Sequence, residues 1–206
     1  YSSSPDRGLQ TLLEMWPAIL KQEPEAELHV FYGFDGWEKS APQYGETPYL
    51  GTTALRQVKH MIRSLPRVTA HGRVSGAQLA GEMLVSGVWA YPTWFSETSC
   101  ITAMEAQAAG LYTVATPLAA LVETAAQGTL VPGAWQSPDG PTDDDRAAFV
   151  QAVVNALRGE HQPKTREELQ SEARRFDLDT LAKNWDAMLR RILSETEESV
   201  LPGWVA

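Results

Sequence analysis

Short apolar runs rich in β-branched and aromatic residues alternate along the chain with longer stretches in which apolar positions recur every three or four residues. That alternation predicts an α/β fold: a parallel sheet covered by helices on both faces. The runs predict strands at 26–33 (AELHVFYG), 67–74 (RVTAHGRV), 87–93 (GVWAYPT), 111–116 (LYTVAT) and 128–133 (GTLVPG). Leu9, Leu12, Leu13, Trp16 and Leu20 fall at helical spacing, and Pro17, which lacks an amide donor, is expected to kink or split that helix. Further helices are predicted over 52–64, 76–85 and 98–109, each long enough to cross over a sheet. The Gly- and Pro-rich segment 33–51 reads as a surface excursion. After SPDGPTDDD the pattern is helical only, over 144–158, 165–175 and 180–193, and the acidic, irregular end is expected to be loosely held.

Composition narrows the function classes. With 206 residues, 43% of them hydrophobic and 21% charged, the chain can bury one substantial core. A net charge of -9 excludes a general nucleic-acid binder, whose domain would carry an excess of Lys and Arg. Locally the balance reverses: Gly51 to Gly81 holds Arg56, Lys59, Arg63, Arg67 and Arg73 and no acidic residue, which suits either an anionic small molecule or, for the first four, a solvated helix face. One cysteine, Cys100, excludes an internal disulfide framework and agrees with a reducing compartment. No apolar run approaches the roughly 18 residues of a spanning helix, and no signal peptide pattern opens the chain. A start at Tyr1 without methionine leads us to expect a fragment or a trimmed product.

The stretch PTWFSETSCITAMEAQAAG, residues 92–110, places Glu97 and Glu105 around an oily segment. A carboxylate beside Ile101, Met104 and Ala108 must be paired or stay wet, because burying an unpaired charge is costly. Ser96 or Thr98 can cap a helix through Ala109, ended by Gly110. Its amino end would then sit at the carboxyl edge of the preceding strand, where open parallel sheets bind ligands and helix amino ends favour anions. Along one helix the two glutamates would lie about 12 Å apart, about the span from sugar to sugar across a diphosphate. They could hold opposite ends of one ligand.

ETSCITAMEAQAAG resembles the E-x7-E motif of retaining, nucleotide-sugar-dependent glycosyltransferases of the GT-B fold, in their sugar-donor-binding C-terminal half. SSSPDRGL, VTAHGRV, WAYPTWFSE, EAQAAGLYTVAT, LVET and GTLVPG follow in the order that family shows, over most of residues 1–158. The resemblance implies a Rossmann-like donor domain over 1–176, and a C-terminal helix and tail over 177–206 that crosses back to an N-terminal acceptor-binding domain. It implies that Arg7 stands by the donor's phosphates as a catalytic residue, and that Gly8 lets the backbone approach them. Glu97, the other catalytic candidate, would contact hydroxyls of the transferred sugar, with the amides of Thr98, Ser99, Cys100 and Ile101 nearby. Glu105 would accept hydrogen bonds from the ribose, and His71, Gly72 and Arg73 would meet the base. The donor substrate would be a nucleotide diphosphate sugar, with no metal or other cofactor. The implied setting is cytoplasmic, with peripheral membrane association of the parent and a role in polysaccharide synthesis. Three departures stand out: Ser99 and Cys100 replace a common Phe-Gly, only Tyr1 and Ser2 stand where a second basic residue is usual, and the first strand is expected before Tyr1.

Plainer roles compete at each position. Arg7 suits a surface charge at a helix start, Glu105 a structural ion pair, and His71 a histidine hydrogen-bonded in place. Cys100 suits small core packing or an acidified thiol. Asp177 and Asp179 in FDLDT have a spacing used for metals elsewhere, but they precede a helix, where aspartate caps; TDDDR reads the same way. His29, His60 and His161 show no metal-ligand spacing, and neither G-x-S-x-G nor G-x-G-x-x-G occurs. For sugar transfer, fixed donors aimed at the leaving group's charge would supply several kcal/mol, and a covalent route would need a carboxylate at the anomeric carbon. No residue is assigned that second role. Two other functions suit the same fold: a sugar-nucleotide epimerase, and a binding module without catalysis.

Overall fold

Among the described residues five short strands carry the fold: β1 (Leu28–Phe31), β2 (Val68–Gly72), β3 (Val88–Tyr91), β4 (Tyr112–Ala115) and β5 (Thr129–Leu130). The computed structural model describes residues 1–160 and 164–199, with side chains through Ser194; His161 and the end beyond 199 lie outside the described residues. Each strand falls inside a predicted run and is trimmed at both ends; except at β4, glycine, proline or charged residues lie among the flanks that do not extend the ladder. All pairings are parallel.

The sheet is not one continuous ladder. β1 pairs with β2, and β3, β4 and β5 form a second sheet in that order. The first three residues lie in the gap between them. The Tyr1 carbonyl accepts the Phe31 amide at 2.8 Å and the Tyr1 nitrogen donates to the His29 carbonyl at 3.0 Å, which joins Tyr1 to β1. On the other side the Trp89 indole donates to the Ser2 hydroxyl at 3.1 Å, and the Ser3 and Tyr91 hydroxyls meet at 3.0 Å. Residues 1–3 thus stitch β1 to β3.

The helices are α1 (Leu9–Gln22), α2 (Asp35–Ser40), α3 (Thr52–Ser64), α4 (Gly76–Val85), α5 (Ile101–Ala108), α6 (Leu121–Thr124), α7 (Asp143–Leu157), α8 (Arg166–Ala173) and α9 (Leu178–Ser199), with short 3-10 turns at 41–44 and 174–176. α1 packs against α3 and α7, and α5 against α6 and α8, giving a Rossmann-like α/β arrangement with helices on both sides. α1 is not split at Pro17. Its buried face of Leu9, Leu12, Leu13, Trp16 and Ile19 holds it as one element, which outweighs the roughly 3 kcal/mol cost of an internal proline. The Trp16 indole adds a hydrogen bond to the Pro66 carbonyl at 2.9 Å.

Three helix starts show why their sequences fold where they do. Ser75, Thr142 and Thr165 each accept the amide three residues on, from Gln78, Asp145 and Glu168, whose side chains bond back to the cap. The 33–51 excursion is folded rather than loose: buried Trp37 donates to the Leu50 carbonyl at 2.7 Å and draws the segment closed. Of the basic residues after Gly51, Lys59 pairs with Glu38, and Arg67 pairs with Glu25 at 2.8 Å. Arg56 and Arg63 are exposed on α3, as a solvated helix face requires. α9 leaves Trp185, Leu189, Ile192 and Leu193 exposed along one side.

Candidate functional site

The turn before α1 meets the end of β3 because residue 8 is a glycine. Gly8 has φ 110, and a Cβ there would stand 2.4 Å from the Pro92 carbonyl oxygen. Only glycine permits both the backbone conformation and the approach. The result delivers Arg7 to Glu97: Nη1 donates to Oε1 at 3.2 Å and to Oε2 at 3.3 Å. The guanidinium carbon also lies 3.9 Å above the centre of the Phe95 ring. Burial opposes the charge on Arg7, but the neighbouring Glu97 carboxylate holds its pKa above the ordinary value. Nη1 is the one nitrogen of Arg7 bonded among the described residues, so Nε and Nη2 remain for another acceptor.

Glu97 is 6% exposed. Besides Arg7, it accepts the Tyr91 hydroxyl at 2.6 Å, and its backbone carbonyl accepts the Ala120 amide at 2.9 Å. The carboxylate at the centre of PTWFSETSC is thus paired, as its burial demands. Burial and the bond to Glu97 together push the Tyr91 hydroxyl far above its ordinary pKa, so it stays protonated and donates.

This pairing changes the start of the helix. α5 begins at Ile101, not at 98, and Cys100 stands at its N-cap with no side-chain cap bond. Drawing Glu97 inward to Arg7 and Tyr91 uses the residues that would have formed the first turn, and leaves Thr98 and Ser99 exposed in the connecting loop. The two glutamates therefore do not lie along one helix, and the spacing of about 12 Å calculated for a continuous helix does not apply.

Glu105 lies on α5, at the wall of a 280 Å³ cleft between α4 and α5 and of a 520 Å³ cleft between α5 and α8. Partial burial alone raises its carboxyl pKa, and no ion pair holds it among the described residues. Cys100 sits between these groups. Its buried thiol is pushed up to about 11, first by burial, with Glu97 and Glu105 adding to the rise while the Ala103 amide and Arg7 oppose it. That makes Cys100 a packing residue rather than an acidified thiol, and places it within electrostatic reach of Arg7, Glu97 and Glu105 together.

His71 and Gly72 end β2 and Arg73 follows it, on the far side of the seam formed by residues 1–3. His71 Nε2 lies 2.9 Å from His29 Nδ1, and its ring stacks on Phe31 at 4.4 Å between centroids. Gly72 takes φ 67, and Arg73 is exposed. No hydrogen bond or ion pair among the described residues ties these three to Arg7 or Glu97. Tyr91, Phe95 and Ser3, which hold the Arg7–Glu97 pair, stand inside the matched stretches WAYPTWFSE and SSSPDRGL, but nothing in the sequence marks them for a role in the site. Asp177 accepts the Asp179 amide at 3.2 Å, the geometry of a cap. Among the described residues no cluster of three or more potential metal ligands occurs, and no helix is long and apolar enough to cross a membrane.

Solved structures share this architecture. The pneumococcal O-GlcNAc transferase GtfA, determined in complex with UDP and GlcNAc, superposes with TM-score 0.65 at 16% identity, over 91% of this chain and 34% of that one. Sucrose-phosphate synthase from Thermosynechococcus elongatus gives 0.62 at 22% identity, over 92% and 43%. A glycosyltransferase from Rickettsia africae gives 0.57 at 18% identity, over 98% and 47%. The chain thus spans less than half the length of these proteins, and its fold is that of the C-terminal half of GT-B glycosyltransferases. No curated protein matches the sequence significantly. Residues 2–159, most of the chain and all of the Arg7–Glu97 site, match the glycosyl transferases group 1 family, and to that family the chain belongs.

Proposed function

We propose that this chain is the donor-binding part of a retaining glycosyltransferase, which moves a hexose from a nucleotide diphosphate sugar to an acceptor. The observation that carries the reading is the buried Glu97 carboxylate held by Arg7 and Tyr91 at the carboxyl end of β3. In this reading Arg7 turns its unbonded Nε and Nη2 to the diphosphate and stabilises the charge that develops as the sugar departs. Gly8 lets the phosphates approach. Glu97, fixed on two sides, accepts hydrogen bonds from the sugar's hydroxyls rather than attacking its anomeric carbon, and the Thr98–Ile101 backbone lies beside it. Glu105, the second glutamate of E-x7-E, accepts from the ribose, and its raised pKa favours sharing a hydroxyl's proton. His71, Gly72 and Arg73 meet the base.

No metal or further cofactor enters this scheme. The exposed side of α9, within the 177–206 segment, would pack against an N-terminal acceptor domain, and without that domain the chain would bind donor weakly and transfer nothing. The setting we propose is cytoplasmic, with the parent peripheral at a membrane's inner face and engaged in polysaccharide synthesis.

Calorimetric titration with nucleoside diphosphates and their sugars tests the reading, with UDP first because one structural neighbour was solved with UDP. Selective binding of one nucleotide, weakened about tenfold or more by Arg7→Ala and by Glu105→Ala, is expected. Tyr91→Phe should weaken the nucleotide sugar more than the bare nucleotide, since Glu97 faces the sugar. Affinity indifferent to both alanine variants would remove the proposed site, and sugar interconversion without acceptor would favour an epimerase.

A further inference from the structure

A cavity of about 630 Å³ lies beside the Arg7–Glu97 pair, between the 47–50 stretch of the excursion, the 92–96 loop and the 135–141 loop. Its size falls in the range of small-molecule sites. None of its lining residues is charged, although the chain carries a net charge of -9. Aromatic rings form the walls: Tyr49, Trp94, Phe95 and Trp135. Both indole N–H groups are tied away from the cavity, Trp94 to the Asp6 carbonyl at 3.1 Å and Trp135 to the Val131 carbonyl at 2.9 Å, so the tryptophans offer carbon surface rather than donors.

The polar groups in the wall are neutral. Gln136 donates to the Trp94 carbonyl at 3.1 Å and to the Ser96 hydroxyl at 2.8 Å, which locks two of the three loops together and leaves its amide oxygen free to accept. Ser137 and Thr47 add hydroxyls. Tyr49 is held at φ 67, a left-handed conformation that costs a bulky residue about 1–3 kcal/mol and recurs at ligand clamps. Its hydroxyl is so close to Gly140 that a Cβ there would fall 2.5 Å from it. The strained ring is thus held against the 135–141 loop.

Flat apolar faces, neutral hydrogen-bonding edges and no charge match a pyranose ring, whose C–H faces are apolar and whose rim carries hydroxyls. Position supplies the second argument. Phe95 lines the cavity and carries the Arg7 guanidinium on its ring, and Ser96, which also lines it, immediately precedes Glu97. We infer that this cavity is a subsite for a neutral saccharide, holding the part of the acceptor that extends from the N-terminal acceptor domain over this chain; its acceptor role rests on the transferase reading above. An acceptor hydroxyl reaching past Phe95 forms the new bond from its oxygen to the anomeric carbon as the sugar–phosphate bond breaks. The bonding pair leaves on the nucleoside diphosphate, and the hydroxyl proton passes to that phosphate.

Saturation-transfer NMR on this chain, with methyl glucoside, methyl galactoside and maltose as neutral probes and methyl glucuronide as the anionic one, tests the inference. At least one neutral probe should bind in the millimolar range, and the glucuronide about tenfold more weakly. Trp94→Ala and Tyr49→Ala should each weaken the neutral probe about tenfold. Ser137→Trp, which fills the cavity from its rim, should abolish that binding while changing UDP affinity by less than about twofold and leaving the thermal transition in place. The inference is overturned if no neutral saccharide binds to a folded sample, if the glucuronide binds equally well, or if binding survives Ser137→Trp. Saccharide binding retained in a chain that takes no nucleotide would support the subsite and sink the transferase reading alone.

Discussion

Gly8 decides whether Arg7 can reach Glu97 at all. A methyl group at residue 8 would meet the Pro92 carbonyl at 2.4 Å on a backbone already at φ 110. We expect Gly8→Ala to cost about 3 kcal/mol in urea unfolding; a cost near zero would mean that the turn shifts freely and does not set the site. At this scale the sequence was partly legible. Arg7, Gly8 and Glu97 stand in short local motifs and could be named in advance. The groups that hold them could not: the Ser3–Tyr91 contact spans 88 positions, and Phe95 lies on Arg7 only because two distant turns meet. Pairing also explains why Glu97 tolerates burial beside an apolar helix, whereas Glu105, without an ion pair among the described residues, stays at a cleft wall.

Helices with a clear apolar period were read well, whether capped by a side chain, as α4 is, or not, as in α3, and those without a period were not. α3 and α4 run over 52–64 and 76–85 as the apolar spacing predicts. α2 and α6 are too short to show a period, and α5 starts late because a tertiary contact competes with its cap. α7 gives the clearest energetic test of a cap. The Thr142 hydroxyl accepts the Asp145 amide at 3.2 Å, and removing it in Thr142→Ala should cost about 1 kcal/mol. The Asp145 carboxylate accepts the backbone amides of Thr142 and Ala134, which lowers its pKa below the usual 3.8. Its contribution to stability is therefore complete above that value and is lost as pH falls through the lowered one. Chemical unfolding of Asp145→Asn across the acid range should show a shallower loss of stability than the parent chain; identical pH profiles would mean that these amides do not favour the charged form.

At the scale of the whole molecule, α9 leaves an apolar side uncovered: Trp185, Leu189 and Ile192 are 59%, 49% and 46% exposed. We expect Trp185→Glu combined with Leu189→Glu to change the stability of the chain in urea unfolding by less than about 0.5 kcal/mol. A large loss of stability would show that α9 belongs to this chain's own core. The expectation of a parallel α/β architecture held because β-branched runs and helical spacing are local properties of the sequence. Two backbone hydrogen bonds join Tyr1 to β1, and Ser2 and Ser3 meet Trp89 and Tyr91 of β3. Arg7 follows these residues by four positions and grips Glu97 beyond β3, so the ion pair is also a latch that holds the turn before α1 against the end of that strand.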